Sequence, residues 1–248
     1  MSSRSGLAAA AVSACIALAT NANANLVTNG NFENTTLTAP GFAAGNLPGW
    51  NVTGPDYLWF PGTADQFPNP SANWGPGTGV NNGFPTTSPT GGNFLEQDPY
   101  YNAPLTQIIT GLTPSATYRL SFYWAASTWT GAALAPTTRD WQVTLGSQTV
   151  TTASVILPAK GFQGWMHEVF YFTPSNPAAL LSFLSQGTGD PPVALLDGVT
   201  LDRVDSGTGG TGAAPEPASW VLMIAGIGGA GAALRRRLTR TSGTAADS

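Results

Sequence analysis

The sequence has few charged residues, one histidine and one cysteine. Charged side chains make up 9% of its 248 residues, and long surface helices usually need Glu and Lys on their solvent face, so a helical protein is disfavoured. Glycine and proline are frequent instead, at 30 and 20 residues, which suits short strands joined by turns. The 8 Trp, 11 Phe and 6 Tyr can fill a substantial core. The composition therefore predicts an all-β domain.

Basic residues are distributed unevenly along the chain. Residues 25–214 contain four basic and eleven acidic side chains, a net charge of −7. Such a region repels a phosphate backbone, so we expect no nucleic-acid partner. Three of the nine basic residues are clustered near the C-terminus, at Arg235, Arg236 and Arg237.

The N-terminus has the features of a secretory signal peptide over residues 1–24. Arg4 is followed by the apolar run 7–19 and by the cleavage site Ala22-Asn23-Ala24. An alternative is a lipoprotein box ending at an acylated Cys15, although the apolar run continues past that cysteine. Cleavage after Ala24 would remove the sole cysteine, and the mature protein would then have no disulfide.

The C-terminus has an ordered series of features. A Gly/Thr-rich linker, 206–214, leads to Pro215-Glu216-Pro217, and residues 218–234 carry no charge before Arg235-Arg236-Arg237. This apolar segment is at the short end of what spans a bilayer as a helix, and the basic cluster would lie on the cytoplasmic side. A plain membrane anchor or a Gly-rich core helix would show the same spacing. Residues 241–248 form a polar tail.

Residues 215–240 closely resemble the PEP-CTERM sorting tail of Gram-negative bacteria. The resemblance rests on the Pro215-Glu216-Pro217 motif, Trp220 early in the apolar span, small residues and the terminal arginines. It implies a transient anchor in the inner membrane, an exosortase as processing partner, and delivery to the cell surface or the medium. Such tails accompany exopolysaccharide and biofilm production. Residues 238–248 extend further than these tails usually do.

Alternating hydrophobic residues predict several short strands. Within residues 117–124, four large side chains recur with a period of two: Tyr118, Leu120, Phe122 and Trp124. Further runs, bounded by turn residues, cover 141–145, 149–155, 168–172, 180–184 and 193–201. Short strands with regular turns predict a two-sheet antiparallel sandwich over residues 25–205. Residues 40–104, rich in Gly, Pro and Asn, are predicted to form long loops with two or three strands.

Four segments of this region resemble galactose-binding-like jelly rolls of the carbohydrate-binding-module type. They begin at Asn25, Leu47, Thr110 and Leu196 and read NLVTNGNFE, LPGW, TGLTP and LDGVTL. The resemblance implies a jelly-roll fold and says little about the ligand, because this fold serves sugar binding, adhesion and scaffolding.

Asp197 is a candidate metal ligand. It is in phase with Val193, Leu195, Val199 and Leu201, so a regular strand would turn its carboxylate towards the buried face, where an unpaired charge is costly. In jelly rolls of this type a structural Ca²⁺ joins the first and last strands. The resemblance implies that Glu33, Asp197 and the carbonyl of Asn31 hold it, and oxygen ligands suit this ion. Alternatively, Asp197 lies at a strand end, solvated or bonded to backbone amides.

Aromatic residues in loop-like sequence are candidates for sugar binding, because flat rings stack on pyranose C–H groups. They are Trp50, Tyr57, Trp59, Trp74, Tyr100 and Tyr101. Polar neighbours such as Asn73, Gln97 and Asp98 could bond sugar hydroxyls. Alternatively, these aromatic residues hold long loops against the sandwich.

Catalysis has little support in the sequence, and no catalytic residue is assigned. The only histidine, His167, lies at a strand start, and motifs for serine hydrolases, zinc proteases and phosphate loops are absent. Glu96 could still meet Asp98 or Glu168 across a cleft, and glycoside hydrolysis needs only two carboxyl groups. We therefore expect a non-enzymatic exported protein that binds glycan or exopolysaccharide. The alternatives are a matrix or adhesion protein without a small ligand and, less favoured, a glycoside-active enzyme.

Overall fold

The computed structural model describes residues 24–66, 71–131, 136–189 and 192–204. All of these belong to the first of two units, Met1–Asp205, into which the chain divides. Residues 1–23 of the predicted signal peptide, the predicted linker and the predicted sorting tail with its membrane helix lie outside the described residues. Within the described ranges, no helix is long and apolar enough to cross a membrane.

Two antiparallel sheets form the domain, as the sequence predicted. The first sheet has the spatial order β1 (Gly41–Phe42), β3 (Tyr57–Trp59), β4 (Phe94–Gln97), β12 (Pro192–Arg203), β6 (Tyr118–Thr128) and β10 (Phe162–Phe172). The second sheet has the order β2 (Asn51–Val52), β5 (Leu105–Thr110), β11 (Ala178–Thr188), β7 (Thr137–Leu145) and β8 (Gln148–Thr151), and β9 (Val155–Leu157) also pairs with β7. The helices among the described residues are two 3₁₀ turns, Pro76–Thr78 and Pro99–Tyr101.

The main core lies between the two sheets. The predicted alternation in β6 is confirmed, since Tyr118, Leu120, Phe122 and Trp124 are buried while Arg119 is exposed and Tyr123 half-buried. Phe183 of β11 lies at the centre, with ring centroids 5.2 Å from Phe122 and 6.0 Å from Trp141, both edge-on. Edge-on aromatic pairs add to the free energy gained by burial.

A second, smaller core covers the outer face of the first sheet. Trp59, Phe94 and Leu195 face outward from the strands and are buried by residues 60–66 and 71–93 of the long connection between β3 and β4. This connection explains why β4 has no exposed side: Leu95 enters the main core while Phe94 enters the second. Residues 40–104 contain four short strands, β1 to β4, rather than the two or three predicted.

The N-terminal segment is hydrogen-bonded to the last strand, β12. Leu26 N donates to Leu201 O at 2.9 Å, and Val199 N donates to Gly30 O at 2.8 Å. Gly30 approaches β12 so closely that a Cβ at this position would overlap with the Val199 carbonyl. The contact therefore requires glycine, and it places residues 24–33 beside the bulged part of β12 between Asp197 and Thr200.

Candidate functional site

A cleft of about 250 Å³ opens at the edge of the first sheet. Its walls are largely aromatic, with two carboxyl groups, and comprise Phe42, Pro55, Tyr57, Ser71, Glu96, Asp98, Tyr101, Trp129 and Val193. Concave sites with apolar walls and a few convergent polar groups are the usual form of small-ligand sites. The cleft is therefore the candidate functional site.

Strand register brings the two main walls together. Tyr57 of β3 is directly opposite Glu96 of β4 and also pairs with Phe42 of β1. The rings of Phe42 and Tyr57 meet edge-on with centroids 5.4 Å apart. One end of the cleft is thus built on paired strands, which hold side chains more rigidly than a loop does.

The other wall comes from a 3₁₀ turn and a bridge. Asp98 caps the turn Pro99–Tyr101 by accepting a hydrogen bond from Tyr100 N at 2.9 Å, and the turn presents Tyr101 to the cleft. Trp129 follows the end of β6 and forms an isolated bridge with Asn73 of the long connection. Asp98 therefore has a structural role in addition to lining the cleft.

Glu96 is the central polar group of the cleft. Its Oε2 accepts hydrogen bonds from Trp59 Nε1 at 2.6 Å and from Asn73 Nδ2 at 2.5 Å. Burial raises the pKa of Glu96 to about 8, the bonds from Asn73 and Trp59 oppose this rise, and the charges of Asp98 and Asp56 add to it. At neutral pH the carboxyl group is therefore mainly protonated. Because Oε2 already accepts two N–H groups, the proton belongs on Oε1, to which no described residue is hydrogen-bonded.

A buried polar layer lies behind the cleft and connects the two sheets. Gln97 Nε2 donates to Asp56 Oδ2 at 3.0 Å, and Gln97 Oε1 accepts from Ser185 N in the second sheet at 2.6 Å. Burial raises the pKa of Asp56 to about 7, against the lowering effect of the Gln97 bond. Burial lowers the pKa of Arg139 to about 9, and the charges of Asp98 and Asp140 oppose that change.

Three of the predicted ligand-binding residues lie at or beside the cleft. Tyr57 and Tyr101 line it, and the exposed Tyr100 contacts Tyr101 with ring centroids 5.3 Å apart. Sequence reasoning missed Phe42 and Trp129. Phe42 lies in a Gly/Pro-rich segment without periodicity, and Trp129 follows the last residue of β6, so local pattern gave no signal for either.

Trp50 and Trp59 are core residues, which corrects their prediction as stacking platforms. Trp59 is fully buried and bonded to Glu96. Trp50 is nearly buried, donates from Nε1 to Asn29 O at 2.9 Å and contacts Phe32 at 5.7 Å between ring centroids. Both rings hold loops against the sandwich, as the alternative interpretation had it. The sequence could not reveal this, because the second core that claims Trp59 is assembled by a long connection.

Trp74 lies outside the cleft and is partly buried. Its backbone N donates to Thr128 O at 2.9 Å, and the ammonium group of Lys160 lies 4.4 Å from the centroid of its ring. This cation–π contact occupies one face of the indole. Trp74 therefore attaches the long connection to the sheet beside β6.

Asp197 is fully buried, but on the other face of the sheet from Val199 and Leu201. The bulge after Asp197, where Gly198 has φ of 64°, reverses the alternation, so Val193 and Leu195 join the second core while Val199 and Leu201 join the main one. The prediction that Asp197 shares one face of the strand with all four of these residues is therefore wrong. A residue inserted at a bulge shifts the side-chain alternation by one.

The side chains around Asp197 include oxygen atoms of a type that can bind a calcium ion. Its carboxylate accepts bonds from the Ser88 and Thr90 hydroxyls and from Gly198 N at 2.6 Å. Burial raises its pKa to about 6, these bonds oppose the rise, and the nearby charge of Glu33 adds to it. The carboxylates of Asp197 and Glu33 are oxygen ligands of the kind that Ca²⁺ prefers.

Glu33 is held by the loop that covers Asp197. Its Oε1 accepts from Asn93 N at 2.6 Å, and a Cβ at Gly92 would overlap with this carboxylate. Asn31 is exposed in the preceding turn. No group of three or more His, Cys, Asp or Glu within the described residues could hold a metal. A Ca²⁺ ion would thus need hydroxyl or backbone oxygens beside Asp197 and Glu33, and the site stays a prediction.

Residues 213–237 match the PEP-CTERM protein-sorting motif. The predicted sorting tail is thereby confirmed. The motif implies export, processing by an exosortase, and a final location at the cell surface or outside the cell. No curated protein matches the chain.

Several solved carbohydrate-binding modules are similar to the domain. The CBM22-1 xylan-binding domain from Paenibacillus barcinonensis Xyn10C is 16% identical with a TM-score of 0.41, over 75% of this chain and 98% of that one. TmCBM61, solved with beta-1,4-galactotriose, is 14% identical with a TM-score of 0.38, over 73% and 99%. A CBM4 structure is 18% identical with a TM-score of 0.33, over 72% and 99%. Likeness at this level says nothing about what this chain binds.

Proposed function

We propose that this exported protein binds a neutral or weakly charged glycan in the cleft and does not cleave it. The observation that carries the proposal is the position of Glu96 between two tyrosine walls: a buried carboxyl group, fixed through Oε2, reaches a cavity bordered by Tyr57 and Tyr101. Tyrosine rings offer flat apolar faces to sugar C–H groups, and a single fixed polar group can orient the ring that they hold.

Glu96 would act as a hydrogen-bond donor in its neutral form. With Oε2 occupied, the O–H at Oε1 is the group available to a sugar hydroxyl or ring oxygen. An acid held neutral by an apolar site in order to donate a hydrogen bond is an established use of a raised pKa. A glycan with an acceptor at this point would be preferred over one that lacks it.

Charge argues against an anionic ligand. Residues 25–214 carry −7, and Asp98 adds a carboxylate to the cleft wall. Binding of an anionic glycan would therefore strengthen as salt screens the repulsion, over a Debye length of about 8 Å at physiological ionic strength. Binding of a neutral glycan through stacking would hardly change with salt.

A glycan array with the exported protein tests the proposal. We expect saturable binding to neutral glycans that is weakened about tenfold or more in Tyr101→Ala, together with unchanged length of the bound glycan after prolonged incubation. Absence of saturable binding to any glycan would refute the binding function. Release of new reducing ends would favour the enzyme alternative instead, with Glu96 and Asp98 as its carboxyl pair. Glu168 is not part of that pair, since it lies on β10 and accepts from Trp124 Nε1 at 3.3 Å.

A second candidate is a matrix or adhesion protein that needs no small ligand. A specific observation favours it: the outer face of the second sheet is nearly free of charge. A role in exopolysaccharide or biofilm would suit either candidate.

A further inference from the structure

The outer face of the second sheet has an unusual composition. Among all residues of β2, β5, β7, β8, β9 and β11, only Arg139 and Asp140 are charged, and Arg139 is buried. The strands of the first sheet contain six charged residues, of which the first and fourth named here are buried: Glu96, Arg119, Glu168, Asp197, Asp202 and Arg203. Charged side chains normally keep sheet faces and edges from associating. Among the strands of the sandwich, those of the second sheet largely lack these protecting charges.

Strand register arranges the outward side chains of this face in rows. One row crosses five strands and contains only hydroxyl and amide side chains: Asn51, Thr106, Ser182, Thr144 and Thr149. Members of this row bond to each other, with Asn51 Nδ2 donating to Thr106 Oγ1 at 3.3 Å and Thr144 Oγ1 lying 2.9 Å from Thr149 Oγ1. Hydroxyl groups that satisfy one another lose little when water is removed.

Apolar side chains lie at both ends of the face. Ile108 and Leu180 are directly paired at one end and are 71% and 48% exposed. Ile156, 73% exposed, pairs with Thr138 at the other end. A shallow groove of about 590 Å³ borders the Ile108–Leu180 pair. We name the outward side chains of β5, β7, β8, β9 and β11 the uncharged face, because all of them except Asp140 are uncharged.

We propose that the uncharged face is a self-association surface that packs against the same face of a second copy. The face is four strands wide, since β8 and β9 both pair with β7. With strands about 4.8 Å apart and about nine residues that rise about 3.3 Å each, its area is roughly 600 Å² per copy. Two copies would bury on the order of 1,200 Å², the lower end of the range for specific interfaces. Face-to-face packing of two sheets is a standard arrangement.

The distribution of charge favours a second copy of the protein as the partner of this face. A domain with a net charge of −7 repels its own copies most weakly through the side that carries a single carboxylate, Asp140. The other outward residues carry no charge, so their burial avoids the cost of an unpaired charge, and Asp140 is the one charged group that the interface must accommodate. An isologous pair also closes on itself, because the same patch is used by both copies.

Light scattering and sedimentation of the exported protein over a range of concentrations test the proposal. We expect a concentration-dependent dimer, weakened about tenfold or more by Ile108→Lys, because each copy would then bury an unpaired ammonium group. Ile108→Thr, which keeps a β-branched side chain, should weaken the dimer less. The matched control is Tyr171→Lys, at a residue of the first sheet that is 61% exposed, and it should leave the dimer intact.

Disulfide trapping in the full chain identifies the surface directly. Gln142 lies in the middle row of the face, opposite Leu184 and Thr151, and Cys15→Ser leaves an introduced cysteine as the only one. Gln142→Cys should form a covalent dimer on mild oxidation, and Tyr171→Cys should not. A monomer at all concentrations, with equal trapping of both variants, would overturn the proposal. So would a monomer whose polysaccharide binding is lost in Ile108→Lys, since the face would then serve a glycan.

Discussion

The indole N–H of Trp59 lies 2.6 Å from Glu96 Oε2, and this bond joins the second core to the cleft. Trp59 is wholly inside the protein, whereas Glu96 borders the cavity. A fixed indole and the Asn73 amide therefore decide which carboxyl oxygen is left for a ligand. Burial raises the pKa of this acid, and the two hydrogen bonds oppose the rise only in part, so Glu96 is easier to keep neutral than to ionise.

Stability should fall as the pH rises from about 5 to 8. Glu96 keeps its proton in the folded protein up to a pKa of about 8, against an ordinary pKa of 4.5. Its contribution is therefore complete below pH 4.5 and is lost as pH rises through 8, at a limiting slope of about 1.4 kcal/mol per pH unit for one group. Asp56, with a pKa of about 7, acts in the same direction. Urea unfolding at several pH values measures this.

Glu96→Gln is the matched variant for that experiment. Glutamine keeps an oxygen to accept from Trp59 and Asn73 and an N–H₂ group where the protonated acid has its O–H, and it cannot ionise. The variant should show a shallower pH dependence and higher stability than the parent above pH 8. An identical pH slope in the two proteins would show that Glu96 does not carry the effect.

Glycan binding should weaken above pH 8 in the parent and not in Glu96→Gln. Ionisation removes the hydrogen-bond donor at Oε1 and places a charge in the cleft, while the amide of the variant still donates. Titration calorimetry with the best neutral glycan at pH 6, 7.5 and 9 would measure the affinity. Parallel loss of affinity in both proteins would mean that another group titrates, or that the fold itself loosens.

Tyr101→Ala should lower glycan affinity about tenfold or more, which is about 1.4 kcal/mol, because it removes one stacking wall. Its ring is 54% exposed, so the melting temperature should hardly change. Tyr171→Ala, at a similarly exposed tyrosine on β10, is the control and should leave affinity unchanged. Equal affinity of the two variants would place the ligand elsewhere.

The sequence predicted the sandwich because side-chain alternation is a local property. Tyr118, Leu120, Phe122 and Trp124 show the period of a strand whatever they pack against. The cleft could be predicted only in part: Tyr57 and Tyr101 belong to it, whereas Trp59 does not. What separates these residues is the path of residues 60–66 and 71–93 over the first sheet, which is a non-local feature without a periodic signal.

Asp197 shows a second limit of sequence reasoning. Its burial was predicted from the alternation of side chains along the strand, and the residue is indeed buried. Because of the bulge at Gly198, however, its side chain lies on the opposite face of the sheet from Val199 and Leu201. A glycine inside a strand is compatible with a bulge and also with a regular strand. Only the register with β6 distinguishes the two.

Exported protein should lack the residues that follow the sorting motif. The motif match at residues 213–237 places Pro215-Glu216-Pro217 ahead of the apolar segment, after a Gly/Thr-rich stretch in which a protease could reach it. Intact-mass measurement of the surface or secreted form should give a mass ending at or near the motif. Deletion of the exosortase in the host should leave the full tail in the membrane fraction. The complete tail in the mature product would favour a plain anchor.

Chelation should lower the melting temperature if Ca²⁺ occupies the site at Glu33 and Asp197. These carboxylates lie on the N-terminal segment and on β12, so an ion held between them would link the two. Release of the ion would leave the charge of Glu33 near Asp197, where it raises the pKa of Asp197. An ion that binds only the folded state stabilises it by about 2.7 kcal/mol at a hundredfold excess over Kd.

The Asp197→Asn and Glu33→Gln variants distinguish a calcium site from a purely hydrogen-bonded one. With the ion present, each variant should melt lower than the parent in Ca²⁺, and its melting temperature should respond little to EDTA. Without an ion, either variant relieves the repulsion between the two carboxylates, so stability at neutral pH should rise rather than fall. The calcium site is rejected if excess EDTA leaves the melting temperature of the parent protein unchanged and elemental analysis finds no calcium. The buried carboxylate of Asp197 would then be held only by the hydroxyls of Ser88 and Thr90 and by Gly198 N.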